Sequence, residues 1–207
     1  IESYLRCTFD ALGGKLRLQG SRLQFTSAEA RAGNSVFGVD ASLALAGKTP
    51  RVDARITAEG GNLAELLKPQ LLEGVPAAPF SLSSHLTMSD QGMALNDLQF
   101  SLADSRLSGR LSTGWPREPE RITFDLLAAG SNLRASLPAI PGYVAAPAAF
   151  RVEARGTADA ASVNIERLDG KIAAASIALA GKLVLKPVFS ADAIRLSVQG
   201  PKLSELG

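Results

Sequence analysis

The sequence predicts an all-β fold, an extended and curled antiparallel sheet (a taco-like trough) built from repeats of about 70 residues, each closed by a short helical turn. Three observations carry that expectation. Apolar residues alternate with polar ones at a period of two. A motif of glycine, a polar residue and leucine returns at one interval. Turn-forming residues separate the alternating runs.

The interval is set by "ITAEGGNLAELLKP" at 56–69, "LLAAGSNLRASLP" at 126–138 and "LSVQGPKLSELG" at 196–207. Their glycines Gly60, Gly130 and Gly200 stand 70 residues apart, and Phe80 and Phe150 keep the same spacing. A further echo joins "SRLQFTSAEAR" (21–31) to "NDLQFSLADSR" (96–106), with "ERLDGKIAAAS" (166–176) as a weaker third copy. The expected organisation is therefore three β repeats, 1–75, 76–146 and 147–207. The last is cut short, so the chain reads as a fragment of something longer.

Each unit contains runs with one apolar and one wet face. "RVDARITAEG" (51–60) sets Val52 and Ile56, with small Ala54, against Arg51, Asp53, Arg55 and Thr57. "RITFDLLAAG" (121–130) sets Ile122, Phe124 and Leu126 against Thr123 and Asp125. "AIRLSVQG" (193–200) sets Ile194, Leu196 and Val198 against Arg195, Ser197 and Gln199. Antiparallel sheets accept such strands because one face can meet water. Further strands are expected near 15–19, 22–29, 36–46, 80–88, 93–103, 105–112, 150–157, 162–166, 171–175 and 176–185. "LGGK", "SDQG", "WPREPE", "RLDG" and "AGK" are read as the turns.

The glycine motif predicts the end of each unit: a strand, a glycine able to take positive φ, then one helical turn. Asn62 and Asn132 are expected N-caps. Leu63, Leu66 and Leu67 share a helical face that Pro69 stops, and "NLRASLP" makes one turn before Pro138. "KLSELG" would do likewise without a capping asparagine.

Strands with one apolar face must cover it. Helices of one or two turns supply little cover, which leaves two facing sheets or one sheet folded into a trough. A parallel β-helix would repeat at a shorter interval, and an ordinary sandwich would not explain the repeat. A packed core and a lipid-holding groove require the same residues, so alternation alone leaves both open. Leu, Ile, Val and Ala are plentiful and aromatics are only 5%. A long aliphatic trough can hold an acyl chain at roughly 0.8 kcal/mol per buried methylene.

The β block ending in "PRVDARITAEGGNLAELL", the stretch "LPAIPGYVAAPAAFRVEARGTADAASVNIERLDGKIAAASIALAGKL" and the closing "GPKLSELG" resemble the AsmA family of bacterial envelope proteins (AsmA/TamB-like). The resemblance runs over nearly the whole chain and is greatest to the repeat-bearing periplasmic region. It implies a taco-shaped periplasmic sheet whose hydrophobic groove carries phospholipid between inner and outer membranes. It also implies an inner-membrane anchor and an outer-membrane partner in the full-length protein. The family offers no catalytic residue to carry over.

Reactive chemistry finds little support in the residues. Net charge is +2 with no basic cluster, which argues against a nucleic-acid surface. One cysteine (Cys7) excludes an intrachain disulfide, and one histidine (His85) excludes two-histidine metal motifs. His85 falls on the polar face of its strand, and Ser83 and Asp90 nearby form no recognisable triad. No GxGxxG, GxxxxGK or calcium-loop grammar occurs. "WPREPER" (115–121) reads as a solvated hairpin loop, with a partner-binding tip as the sharper alternative.

The expected function is non-enzymatic: a periplasmic lipid-handling segment with no cofactor and no metal, supporting outer-membrane biogenesis. Val52, Ile56, Ile122, Phe124, Leu126, Ile194, Leu196 and Val198 would line the groove. Gly60, Asn62, Gly130, Asn132 and Gly200 would mark the repeat boundaries. Two alternatives remain: a β scaffold assisting outer-membrane protein assembly through its edges or surfaces, and a hydrolytic β-solenoid, which would need paired carboxylates in a cleft.

Overall fold

A computed structural model describes residues 11–47, 49–67, 75–114, 118–136, 147–184 and 190–200. Within them the chain forms one antiparallel sheet of 12 strands, in the order of the sequence. The strands are β1 (Ala11–Gln19), β2 (Arg22–Ala32), β3 (Ser35–Ala44), β4 (Arg51–Gly60), β5 (Phe80–Ser89) and β6 (Gly92–Leu102). They continue as β7 (Ser105–Gly114), β8 (Glu118–Gly130), β9 (Phe150–Ala158), β10 (Ser162–Ile172), β11 (Ala175–Val184) and β12 (Ser190–Gln199). Two helical turns, α1 (Leu63–Leu67) and α2 (Leu133–Ser136), follow β4 and β8.

Register turns the sequence alternation into two faces, because directly paired residues point to the same side. Val52 pairs with Met88, Ala54 with Leu86 and Ala58 with Leu82. Leu82 pairs with Phe100 and Leu86 with Leu95, and those lead to Leu107 and Leu111. The apolar row then crosses to Phe124 and Ala128, to Val152 and Ala154, and on to Leu168, Leu179 and Leu196. Toward the other edge it runs through Val39 and Leu43 to Leu23 and Phe25 and to Leu16 and Leu18. The opposite face carries Arg17, Arg55, His85, Gln99, Arg110, Asp125, Arg155, Asp169, Lys182 and Arg195. One side of all 12 strands is thus apolar and the other is polar.

The 70-residue interval reappears in backbone detail. Register shifts fall between Phe25 and Ala28, Leu95 and Leu98, and Ile165 and Leu168. The tight turns after β2, β6 and β10 carry φ near +50° at Gly33, Ala103 and Ala173. Leu63 N donates to Ala78 O at 3.0 Å and Leu133 N to Ala148 O at 2.8 Å. The echo between 21–31 and 96–106 is shifted by five residues from this equivalence. Leu23 corresponds to Met93 and Leu98 to Ala28, because the bulge fixes the register and the local likeness does not.

Three expected turns lie inside strands. "RLDG" (167–170) belongs to β10, which runs unbroken where two short strands were expected. Gly170 serves close packing there: a Cβ on it would stand 2.8 Å from Val152 Cγ2. "LGGK" (12–15) is a bulge within β1, and the second "AGK" (180–182) is a bulge within β11. "SDQG" (89–92) does join β5 to β6. The sheet is open, neither closed nor strongly curled, which corrects the expected curl. In a meander β1 and β12 never pair, so nothing draws the two edges together.

Among the described residues no large side chain is fully buried, and the tightest cluster sits at the helical end. Phe80, Ala58 and Leu102 form it, with Phe37, Leu63, Leu66, Leu82 and Phe100 packed against them. The helical turn therefore lays its leucines over one end of the apolar face.

The β9–β10 turn is held by Asp159, whose Oδ1 accepts from Ala161 N at 2.8 Å and Ser162 N at 2.7 Å. The Ala161 bond first, then the Ser162 bond, lowers the Asp159 pKa below its ordinary value. A depressed carboxylate adds stability above its unfolded pKa and loses it as pH falls through the folded one. A pH titration followed by NMR should find Asp159 ionising below the usual carboxylate range, and Ala161→Pro should raise its midpoint.

Candidate functional site

All eight residues expected to line a groove fall on the apolar face, on β4, β8 and β12. Ile56 pairs with Val39 and Ser84, Phe124 with Leu111 and Gly156, and Leu196 with Leu179. These three strands stand four apart in the sheet order, so the groups on them do not touch one another directly. The intervening strands, above all Leu86, Met88, Met93, Leu95 and Leu111, make the face continuous. Sequence reasoning did not single these out, although the same alternation marks them once register is known.

Exposure grades along this face. Leu196 is 63% exposed and Ile122 40%, while Val52, Ile56, Phe124, Leu126, Ile194 and Val198 are half-buried. Toward the β1 edge Leu16 and Leu18 are exposed at 64% and 67%. No second sheet covers the face among the described residues. Ser84 is one of the polar residues on this face, 6% exposed, and its Oγ donates to Asn96 O at 2.9 Å beside the β6 bulge.

Under α2 the face deepens into a cavity of about 230 Å³ walled by Phe100, Leu102, Leu107, Ala128, Leu133 and Phe150. Its walls are mostly aliphatic and aromatic, with Arg106 and the buried Ser105 as the polar residues of the lining. None of the eight expected residues lines it. Phe150 was visible in sequence only as a repeat marker.

The boundary glycines are explained differently from expectation. None of Gly60, Gly130 and Gly200 has positive φ. Close approach requires them instead. A Cβ on Gly60 would lie 2.6 Å from Phe80 Cε1 and nearer still to Ser35 Oγ. On Gly130 it would lie 2.8 Å from Phe150 Cε1 and nearer to Ser105 Oγ, and on Gly200 2.9 Å from Ala175 Cβ. Each glycine thus lets an aromatic ring or a small neighbour lie flat over its strand.

Asn62 Oδ1 accepts from Ala64 N at 3.1 Å and Glu65 N at 3.3 Å, and Asn132 Oδ1 from Ala135 N at 3.3 Å. Both asparagines therefore cap their helical turns. The third expected turn, after Gly200, lies outside the described residues, as do Cys7 and residues 115–117 of the "WPREPER" segment.

His85 sits on the polar face with Nε2 3.1 Å from Asp53 Oδ1. That carboxylate partner comes from β4 and was not foreseen. Among the described residues no group of three His, Cys, Asp or Glu side chains could hold a metal. No described helix is long and apolar enough to cross a membrane. No protein-family model, curated protein or solved structure matches this chain.

Proposed function

We propose that this chain is a non-enzymatic lipid-handling segment of an AsmA-like periplasmic protein, whose apolar face receives phospholipid acyl chains. The observation that carries the reading is the uninterrupted apolar row across 12 strands with no covering layer among the described residues. Acyl methylenes gain about 0.8 kcal/mol each on leaving water, so such a face binds chains without directional contacts. The cavity under α2 offers a seat for a chain end. Carriage between inner and outer membranes, an inner-membrane anchor, an outer-membrane partner and the division into units 1–75, 76–146 and 147–207 belong to this proposal.

Native mass spectrometry with lipid extraction tests it. Ile122→Asp and Leu196→Asp replace partly exposed strand residues and should cost about 1–2 kcal/mol, less at the more exposed Leu196. Losing two or so methylene contacts should still lower bound phospholipid about tenfold. Ile56→Asp and Phe124→Asp should remove lipid as well, at some cost in stability. A chain that carries no lipid and refuses added phospholipid sinks the proposal.

The open edges favour a second reading. Among the described residues β1 and β12 each pair on one side only, the requirement for adding a partner strand. A scaffold working through those edges would tolerate Ile122→Asp and Leu196→Asp without functional loss.

A further inference from the structure

The polar face carries its own concavity. It encloses about 520 Å³ near the β5–β6 hairpin and is lined by Thr87, Ala94, Arg110, Ser112, Arg121 and Thr123, with Gly92 and Gly114 at the rim. Ala94 is its floor, 9% exposed although it faces the polar side. Thr87 and Ser112 flank Ala94 on either side, and Thr123 lies beyond Ser112. Hydroxyls and two guanidinium groups thus meet over a small apolar floor.

Comparison along the 70-residue repeat shows that this combination is peculiar to the middle block. The positions of Ala94 and Ser112 correspond to the paired Gln24 and Ser42 in the first block and to the paired Asn164 and Lys182 in the third. An amide side chain, Gln24 or Asn164, replaces the alanine floor in both. Arg110 corresponds to Asp40, whose Oδ1 accepts from Ser27 N at 2.7 Å. Thr123 corresponds to Asp53. The middle block therefore exchanges two carboxylates of the first for a guanidinium and a hydroxyl at the point where the floor opens.

Two acids lie close to Arg110. Asp125 is its direct neighbour on β8, but that carboxylate is engaged by Arg155 Nε at 3.1 Å. Asp97 lies in the facing bulge of β6. Among the described residues neither forms an ion pair with Arg110, which leaves its planar donors for an external acceptor.

We infer that this concavity binds a phosphate-bearing anion, with the Arg110 guanidinium and the Thr87, Ser112 and Thr123 hydroxyls as donors. Guanidinium matches phosphate oxygens in a bidentate manner, and hydroxyls complete the donor set. Free phosphate esters and phospholipid headgroups share this chemistry. The inference does not depend on acyl chains lying on the opposite face.

Isothermal titration of the 207-residue chain at low salt, first with inorganic phosphate and then with glycerol 3-phosphate, tests the site. Sedimentation with phosphatidylglycerol vesicles forms the second arm. The expected result is saturable one-site binding that weakens about tenfold or more in Arg110→Gln. Ala94→Gln, which installs the residue found in the first block, should close the floor and weaken it similarly. Arg55→Gln, elsewhere on the polar face, should leave it unchanged, and the soluble phosphates, which carry no acyl chain, separate this site from the acyl-chain proposal. Arg110-dependent binding of soluble phosphates alone identifies a free phosphate; Arg110-dependent vesicle binding identifies a headgroup. The inference is overturned if neither arm shows binding, or if binding is insensitive to Arg110→Gln in a folded variant.

Discussion

Phe80→Ala should lower the stability of this chain by about 3–5 kcal/mol, the range for emptying a buried aromatic site. Phe80 is 6% exposed and lies among Ala58, Leu102, Leu63 and Leu66, where strand, neighbouring strand and helical turn meet. In a single-layer sheet few side chains are buried so deeply, so little else compensates for its loss. The neighbours cannot collapse into the gap, because Leu63 is tied by its backbone to Ala78 and the strands are fixed by their ladders. Urea unfolding followed by circular dichroism reads the change as a lower midpoint. Phe150, its counterpart 70 residues on, is only half-buried. Phe150→Ala should therefore cost visibly less, and equal losses at the two positions would contradict this account of the core.

Alanine at Gly60 or Gly130 should destabilise by about 1–3 kcal/mol, the penalty for forcing a methyl group into filled space. The added carbon would meet a ring edge at 2.6 Å in one case and 2.8 Å in the other, with a serine hydroxyl closer still. The strand conformation itself suits alanine, since φ is not positive at either position. The cost is therefore steric, and it should be partly recovered by Ser105→Gly in the Gly130→Ala background, a coupling measurable in a double-mutant cycle. If φ were the cause, no change at Ser105 would recover anything. Gly200→Ala faces only Ala175 at 2.9 Å near the end of β12 and should cost least of the three.

These two results separate what a reader of the sequence can and cannot know. The positions of Gly60, Gly130, Phe80 and Phe150 were conspicuous from spacing alone. Their joint purpose was not, because glycine serves positive φ and close approach equally well and only the neighbouring strand decides between them. The left-handed turns at Ala103 and Ala173 left no trace, since alanine is not a turn signal. In the opposite sense, "RLDG" and "LGGK" looked like turns and proved to be strand and bulge. The β6 bulge likewise showed that the echo at 21–31 and 96–106 was out of step.

The sequence by itself determined the all-β class, the 70-residue interval and which side chains share a face. Each follows from local covalent geometry: successive residues in a strand point to opposite sides, so alternation is read directly from the chain. Tertiary structure alone decided that the apolar side is left without a covering sheet among the described residues, that Asp53 meets His85, and that Arg110, Ser112 and Thr123 surround an alanine floor. Those facts depend on cross-strand register. One residue of slip would send every side chain to the other face, and the bulges that fix the register carry no reliable signature in composition.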